Sequence, residues 1–162
     1  EGYQELKAHA DRAGTWERWR RKALDFVRED IAGKKKESEG SYLSHPVDHS
    51  RLVEILLWEG NAEDAWCEAK EGGCADKLWF ELAARREEGY PEDALDIYRA
   101  RIEPLIERTN NAAYREAYDL LLKTRELMRR LDLEAEYDEY VELLRLEYKR
   151  KRNFIKLLDG IE

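Results

Sequence analysis

The chain has 162 residues with 37 acidic and 29 basic side chains, and its net charge of −8 argues against bulk binding to nucleic acid or to an anionic membrane surface. Hydrophobic residues make up 43% and charged residues 41%, with only nine glycines and three prolines, a mixture that favours amphipathic helices over strands or disorder. No apolar run approaches a length of about 18 residues, which a helix needs to span a membrane. The two cysteines, Cys67 and Cys74, indicate a reducing compartment, so we expect a cytoplasmic protein without a membrane partner.

The first half of the chain predicts four helices separated by glycine and polar breaks. The first covers residues 3–13 and ends at Gly14, and the second is capped by Thr15 and ends near Gly33. Residues 33–45 have the composition of a flexible basic loop. A third helix runs to residue 58, and Asn61 caps the fourth. The expected buried face of the second helix consists of Trp16, Trp19, Ala23, Phe26 and Val27.

The second half predicts helices with clearer apolar stripes. Leu78, Leu82 and their neighbours form one stripe, Pro91 begins the next helix as a first-turn proline can, and Pro104 should kink or split that helix. The Asn pair at 110–111 caps a further helix. The helix that follows it begins after residues 131–132. Its apolar stripe is expected to be buried, with the members Tyr137, Tyr140, Val141, Leu144 and Tyr148. With a last apolar turn at 154–158, the chain predicts eight or nine helices and no strand.

A faint internal repeat suggests how these helices are arranged. A small residue followed by apolar, acidic and aromatic residues recurs at 23–26, 65–68, 94–98 and 135–140. Their spacing is uneven, unlike the constant period of about 34 residues in true tetratricopeptide repeats. We therefore predict an all-α fold, an irregular, tetratricopeptide-like array of antiparallel helices that forms a single domain over residues 1–162. Because the chain begins at Glu1 without Met, we also expect it to be a fragment of a longer protein.

Four segments resemble the helical C-terminal region of bacterial proteins that carry a SWIM zinc finger. They are LWFELA at 78–83, PEDALDIY at 91–98, TNNAAY at 109–114 and RKRNFIKLLD at 150–159. The resemblance covers about residues 74–159 and is weaker over 51–73. The family's zinc motif, two Cys one residue apart followed by Cys-x-His, is absent, so no metal ligand carries over. The resemblance implies that this chain is the helical companion of a zinc finger that lies upstream.

Residues with catalytic or metal-binding chemistry form no recognisable site. His45 and His49 with Cys67 and Cys74 do not have zinc-site spacing, and packed, reduced cysteines are the simpler interpretation. Ser44, with the His and Asp residues that follow it, contains the elements of a hydrolytic triad crowded into one short segment, whereas a triad needs parts from separate elements. We expect no catalytic residue, no metal and no cofactor in this chain, and hence no enzyme.

Two clusters combine basic with aromatic residues, the pattern that binds single-stranded nucleic acid. One follows Trp16 and includes Trp19, and the other lies between Tyr148 and Phe154. The alternative interpretation pairs the cations with nearby acids and buries the aromatics. The candidate nucleic-acid contacts are Arg18, Arg20, Arg21, Lys22, Lys149, Arg150, Lys151 and Arg152.

Aromatic content favours a different function. Five Trp and nine Tyr exceed what a core of this size needs, and such residues often anchor protein interfaces. Trp58, Tyr90 and Tyr118 are the candidate partner-binding residues. We therefore predict a non-catalytic protein-interaction or scaffolding module with a protein or peptide partner, and the alternative is an auxiliary nucleic-acid-binding module that uses residues 16–22 and 148–154. The sequence leaves the oligomeric state and the identity of the partner open.

Overall fold

A computed structural model describes residues 2–39 and 48–160, and within these ranges all regular structure is helical. The described residues form nine helices and no strand, which confirms the predicted all-α class. The helices are α1 (Gly2–Arg12), α2 (Trp16–Glu39), α3 (Ser50–Trp58), α4 (Ala62–Gly72), α5 (Asp76–Arg86), α6 (Pro91–Glu107), α7 (Asn111–Arg130), α8 (Glu134–Glu147) and α9 (Arg152–Leu158).

The chain divides into two compact units, and the single domain over residues 1–162 stays a prediction. The first unit ends at Leu82 and the second begins at Ala83. Each unit has its own set of buried apolar residues.

The first unit is built around α3, the most apolar of its helices. Five of the nine residues of α3 are buried, and they pack with side chains from α2, α4 and α5. Gly60, at a φ of +82°, reverses the chain after α3, and the side chain of Asn61 accepts a hydrogen bond from the Asp64 backbone N–H at 3.3 Å. The predicted cap of α4 is therefore confirmed.

Two predictions for α2 were wrong. The helix does not end near Gly33 but continues to Glu39, because helix geometry tolerates an isolated exposed glycine at a modest cost. The remaining part of the expected loop, residues 40–45, lies outside the described residues. The predicted buried stripe is confirmed at Val27 but was wrong at Trp19 and Phe26, which are 43% and 63% exposed, whereas Leu24, which was not predicted, enters the core.

The second unit is built around the packed pair α6 and α7, with α8 and α9 against α7. Tyr98, Ile102 and Leu121 are almost fully buried there. Pro104 lies inside α6, which is one continuous helix and is not split. The side chain of Asn110 accepts a hydrogen bond from the Ala113 N–H at 2.9 Å, as predicted for a cap of α7.

Candidate protein-interaction surfaces

Trp58, a candidate partner-binding residue, lies on an open cleft of the first unit. Its ring meets the Tyr3 ring edge-on at 5.8 Å between centroids, and Tyr3 meets Trp16 in the same way at 5.5 Å. The cleft has a volume of about 470 Å³ and brings these tryptophans together with Lys7 and Arg20. Edge-to-face packing holds the indoles in place while Trp58 stays exposed. The cleft therefore presents a fixed aromatic surface.

Arg20, one of the candidate nucleic-acid contacts, is used by the fold. Its guanidinium donates from Nε and Nη2 to the two carboxylate oxygens of Glu59 at 2.7 and 2.6 Å, and the Tyr3 hydroxyl donates to Glu59 Oε1 at 2.6 Å. Burial acts to raise the pKa of the Glu59 carboxyl, but the hydrogen bonds from Arg20 and Tyr3 outweigh it and hold that pKa below its ordinary value. This forked pair ties α2 to the end of α3.

The other basic residues of α2 are more accessible. Arg18 and Arg21 are exposed and make no ion pair within the part of the chain that the structure describes. The Lys22 ammonium lies 5.1 Å from the centroid of the exposed Trp19 ring. This end of α2 thus carries two uncommitted guanidinium groups and, on the same helix, an exposed aromatic ring with a lysine over it.

The second basic cluster has a different environment. Tyr148 and Phe154, the aromatics on either side of it, are buried and pack edge-on against each other at 6.2 Å between ring centroids. Lys151 lies 3.5 Å from Glu107 and over the Tyr148 ring, whereas Lys149, Arg150 and Arg152 are exposed. Because both aromatic rings belong to the core, neither offers a free face on which a base could stack.

The other two candidate partner residues lie in the second unit, so no one unit holds all three. Tyr90 is exposed, and the Arg86 guanidinium stacks over its ring at 4.0 Å. Arg86 is itself buried and donates from Nε to Asp93 at 2.8 Å. Tyr118 is half-buried on α7. Tyr90 therefore presents one ring face, since its other face is covered by Arg86.

A groove in the second unit, which we call the α8 groove, was not predicted from the sequence. It is lined by Arg99 and Glu103 of α6 and by Tyr140, Leu143, Leu144, Leu146 and Glu147 of α8, and its volume is about 610 Å³. Leu143 is 62% and Leu146 68% exposed, although Leu144 between them is buried. A signal was present in the sequence, because these two leucines lie outside the predicted buried stripe of α8. The predicted stripe itself is buried at its other four members, whereas Tyr140 is half-exposed.

Acidic side chains dominate the electrostatics of the α8 groove. Burial, with the nearby Glu103 carboxylate, raises the pKa of Tyr140 to about 12, against the opposing effect of Arg99. Burial likewise raises the pKa of Tyr148 to about 12, with contributions from Glu103 and Glu147. The Arg99 guanidinium lies over the Tyr140 ring at 4.7 Å from its centroid. The groove is therefore an apolar floor between carboxylates, and the guanidinium that lines it is stacked on a tyrosine.

The residues weighed as metal ligands or nucleophiles are dispersed or paired. Ser44 and His45 lie outside the described residues. His49 is buried with Nδ1 3.1 Å from Glu68 Oε2, whereas Cys67 is exposed and Cys74 is half-buried. Within residues 2–39 and 48–160, no three His, Cys, Asp or Glu side chains form a group that could hold a metal ion.

Two further findings bear on function. Among the described residues, no helix is both long and apolar enough to cross a membrane. Comparisons of the chain with protein-family models, curated proteins and solved structures find no match.

Proposed function

We propose that this chain is a non-catalytic protein-interaction or scaffolding module. The observation that carries the proposal is the exposure of Leu143 and Leu146 beside Tyr140 in the α8 groove. Large apolar side chains scattered singly on a surface need no explanation, but a contiguous apolar surface in a groove is typical of an interaction site. The fixed indoles around Trp58 add a second such surface, since tryptophan is enriched among residues that anchor interfaces.

The resemblance of residues 74–159 to the helical region of SWIM zinc-finger proteins supplies a context for this role. In that context the module lies beside a zinc finger in a longer protein, and it brings a protein partner to whatever the finger binds. The helical fold supports the proposal because stacked helices expose extended surfaces between them.

Site-specific photocrosslinking tests the proposal. A benzophenone amino acid is introduced in place of Leu146 or Trp58, and the purified chain is irradiated in a lysate of its source organism. We expect protein adducts at both positions, because both side chains lie on open apolar surfaces. Glu116, an exposed residue of α7, is the matched control position and should give none. The absence of adducts at Leu146 and Trp58, or equal labelling at Glu116, would contradict the proposal.

Nucleic-acid binding is the second candidate function, and the exposed end of α2 favours it. Lys22 lies over the exposed ring of Trp19, and Arg18 and Arg21 are exposed on the same helix, a combination suited to phosphate contact and base stacking. At the second cluster the flanking aromatics are buried, so only phosphate contacts remain for Lys149, Arg150 and Arg152.

Fluorescence anisotropy with labelled single- and double-stranded DNA separates the two functions. A protein-interaction module with a net charge of −8 should give no anisotropy change at low salt. Binding that weakens steeply with salt would instead support the second candidate. In that case Arg18→Ala with Arg21→Ala should reduce the affinity more than Lys149→Ala with Arg150→Ala, because only the α2 cluster has an exposed ring beside it.

A further inference from the structure

The chemistry of the α8 groove identifies the class of partner that would fill it, an inference that rests on the proposed function. The groove runs between α6 and α8, and its volume of about 610 Å³ lies within the range of about 300–1,000 Å³ typical of binding pockets. Leu143 and Leu146 are three residues apart on α8 and so project from one side of the helix. A groove between two helices with an apolar floor is the geometry that accepts the apolar face of a third helix.

The charge around this floor selects for cations. Glu103 and Glu147 line the groove, and neither makes an ion pair with another described residue. The helix α8 itself carries six acidic residues and one basic residue, Arg145. Arg145 is already committed, because it lies 2.6 Å from Asp159 and 3.3 Å from Glu142. A ligand helix with Lys or Arg beside its apolar face would meet carboxylates on both walls.

The same charges disfavour a dimer in which the α8 grooves of two copies of this chain face each other. In a twofold interface the same patch meets itself, so Glu103 and Glu147 would be brought close to their equivalents. Like charges juxtaposed across an interface repel each other and disfavour association. A basic ligand avoids that repulsion and gains from the uncommitted carboxylates.

We infer that the α8 groove binds a basic amphipathic helix of a partner protein, whose large apolar side chains cover Leu143 and Leu146 and whose Lys or Arg residues face Glu103 and Glu147. Apolar contact supplies the affinity, and the carboxylates select the partner and speed its association.

A pair of designed peptides tests this inference with the complete chain. Each is a fluorescein-labelled helix of about five turns, or 18 residues, with leucines at i, i+3, i+4 and i+7. The polar positions are lysine in one peptide and glutamate in the other. We expect the lysine peptide to bind, with an affinity that falls as salt rises, and the glutamate peptide to bind at least about tenfold more weakly, since both differ only in charge.

Variants then assign the binding to the groove. Leu143→Ser with Leu146→Ser should weaken the lysine peptide by about tenfold or more, and Glu103→Gln with Glu147→Gln should weaken it and flatten its salt dependence. Leu122→Ser changes an exposed leucine of α7 that does not line the groove and should leave binding unchanged. Because all these side chains are on the surface, far-UV circular dichroism should confirm that every variant keeps its helical content.

Several outcomes would overturn the inference. Equal binding of both peptides that still depends on the two leucines would refute a basic partner and leave the proposed interaction function standing. Binding of neither peptide, or binding unaffected by the leucine variants, would refute the groove as a helix site. Concentration-dependent self-association in sedimentation, abolished by the leucine variants, would assign the groove to a second copy of this chain. The photocrosslinking result is read separately, since it requires a protein partner but not a basic one.

Discussion

Replacing Gly72 with alanine should destabilise the first unit by about 2–3 kcal/mol, the cost of inserting atoms where a packed interior has no room. A Cβ on Gly72 would overlap the Cδ2 and Nε2 atoms of the His49 ring. The ring cannot move aside cheaply, because His49 is buried, its Nδ1 lies 3.1 Å from Glu68, and its backbone N–H donates to the Gly73 carbonyl. Since Gly72 ends a helix, the ordinary gain in helix propensity from Gly to Ala is outweighed.

Tryptophan fluorescence measures this effect in the right part of the chain. All five tryptophans precede Ala83, so their fluorescence in a urea titration reports on the first unit. Gly33→Ala is the matched control: Gly33 lies inside α2, a Cβ added there would have nothing within 4 Å, and alanine should stabilise the unit by about 0.5–1 kcal/mol. If the unfolding free energy falls for Gly72→Ala and rises for Gly33→Ala, the steric effect at Gly72 is separated from the effect of helix propensity.

A double-mutant cycle identifies the His49 ring as the cause. In a His49→Ala background the ring is gone, so Gly72→Ala should cost less than about 0.5 kcal/mol, the usual margin of additivity. If Gly72→Ala costs as much without the ring as with it, the contact between Gly72 and His49 does not account for the loss.

Replacing Glu59 with glutamine should cost the first unit about 2 kcal/mol at pH 7. The Glu59 side chain is only 11% exposed and receives the fork of Arg20 and the Tyr3 hydroxyl, so the loss of its charge leaves a partly buried guanidinium without its counterion. Breaking a fully buried ion pair costs about 3–5 kcal/mol. The expected cost here is smaller, because the Arg20 side chain is 33% exposed and solvent screens part of the interaction.

The effect should depend on pH in a defined direction. The folded-state pKa of Glu59 lies below the ordinary 4.5, so its contribution to stability is fully present well above pH 4.5 and is lost as pH falls through the folded-state pKa. The wild type and Glu59→Gln should therefore differ most near neutral pH and converge in acid. Urea titrations followed by tryptophan fluorescence at neutral and acidic pH measure this convergence.

Glu54→Gln is the control for the same substitution on a neighbouring surface. Glu54 pairs with Lys77 at 3.7 Å, but both side chains are mostly exposed, so its replacement should change the unfolding free energy by less than about 0.5 kcal/mol. If Glu54→Gln costs as much as Glu59→Gln, or if the Glu59 effect persists in acid, the forked pair is not what stabilises the end of α3.

Features encoded in short stretches of sequence were predicted well. The helical class, the start of α6 at Pro91 and the caps at Asn61 and Asn110 all depend on residues within a few positions of each other. A cap requires only that a side-chain acceptor reach an N–H two or three residues on. The end of α2 was predicted less well, because Gly33 lowers helix propensity without preventing helix, and the Lys and Glu residues after it are good helix formers.

The candidate surfaces show the limit of this local reasoning. On α2 the sequence offers a wide apolar stripe, and the predicted face included Phe26, whereas the structure buries the neighbouring Leu24. On α8 the pattern selected Leu144 for the core and left Leu143 and Leu146 outside the buried stripe, but it did not indicate that these two leucines would line a groove beside α6. Periodicity establishes that a helix has an apolar face, but which part of that face is covered depends on where other helices lie.

By itself, then, the sequence determined that this chain is helical, where most of its helices begin, and that Tyr137, Val141 and Leu144 of α8 enter the core. Only the tertiary structure decided that Arg20 binds Glu59 across 39 positions of chain, that the His49 ring occupies the space above Gly72, and that two leucines of α8 line an acidic groove. The physical reason is range: hydrogen bonds and side-chain spacing within a helix turn are set by neighbours in sequence, whereas pairing and exposure are set by packing between segments that the sequence keeps far apart.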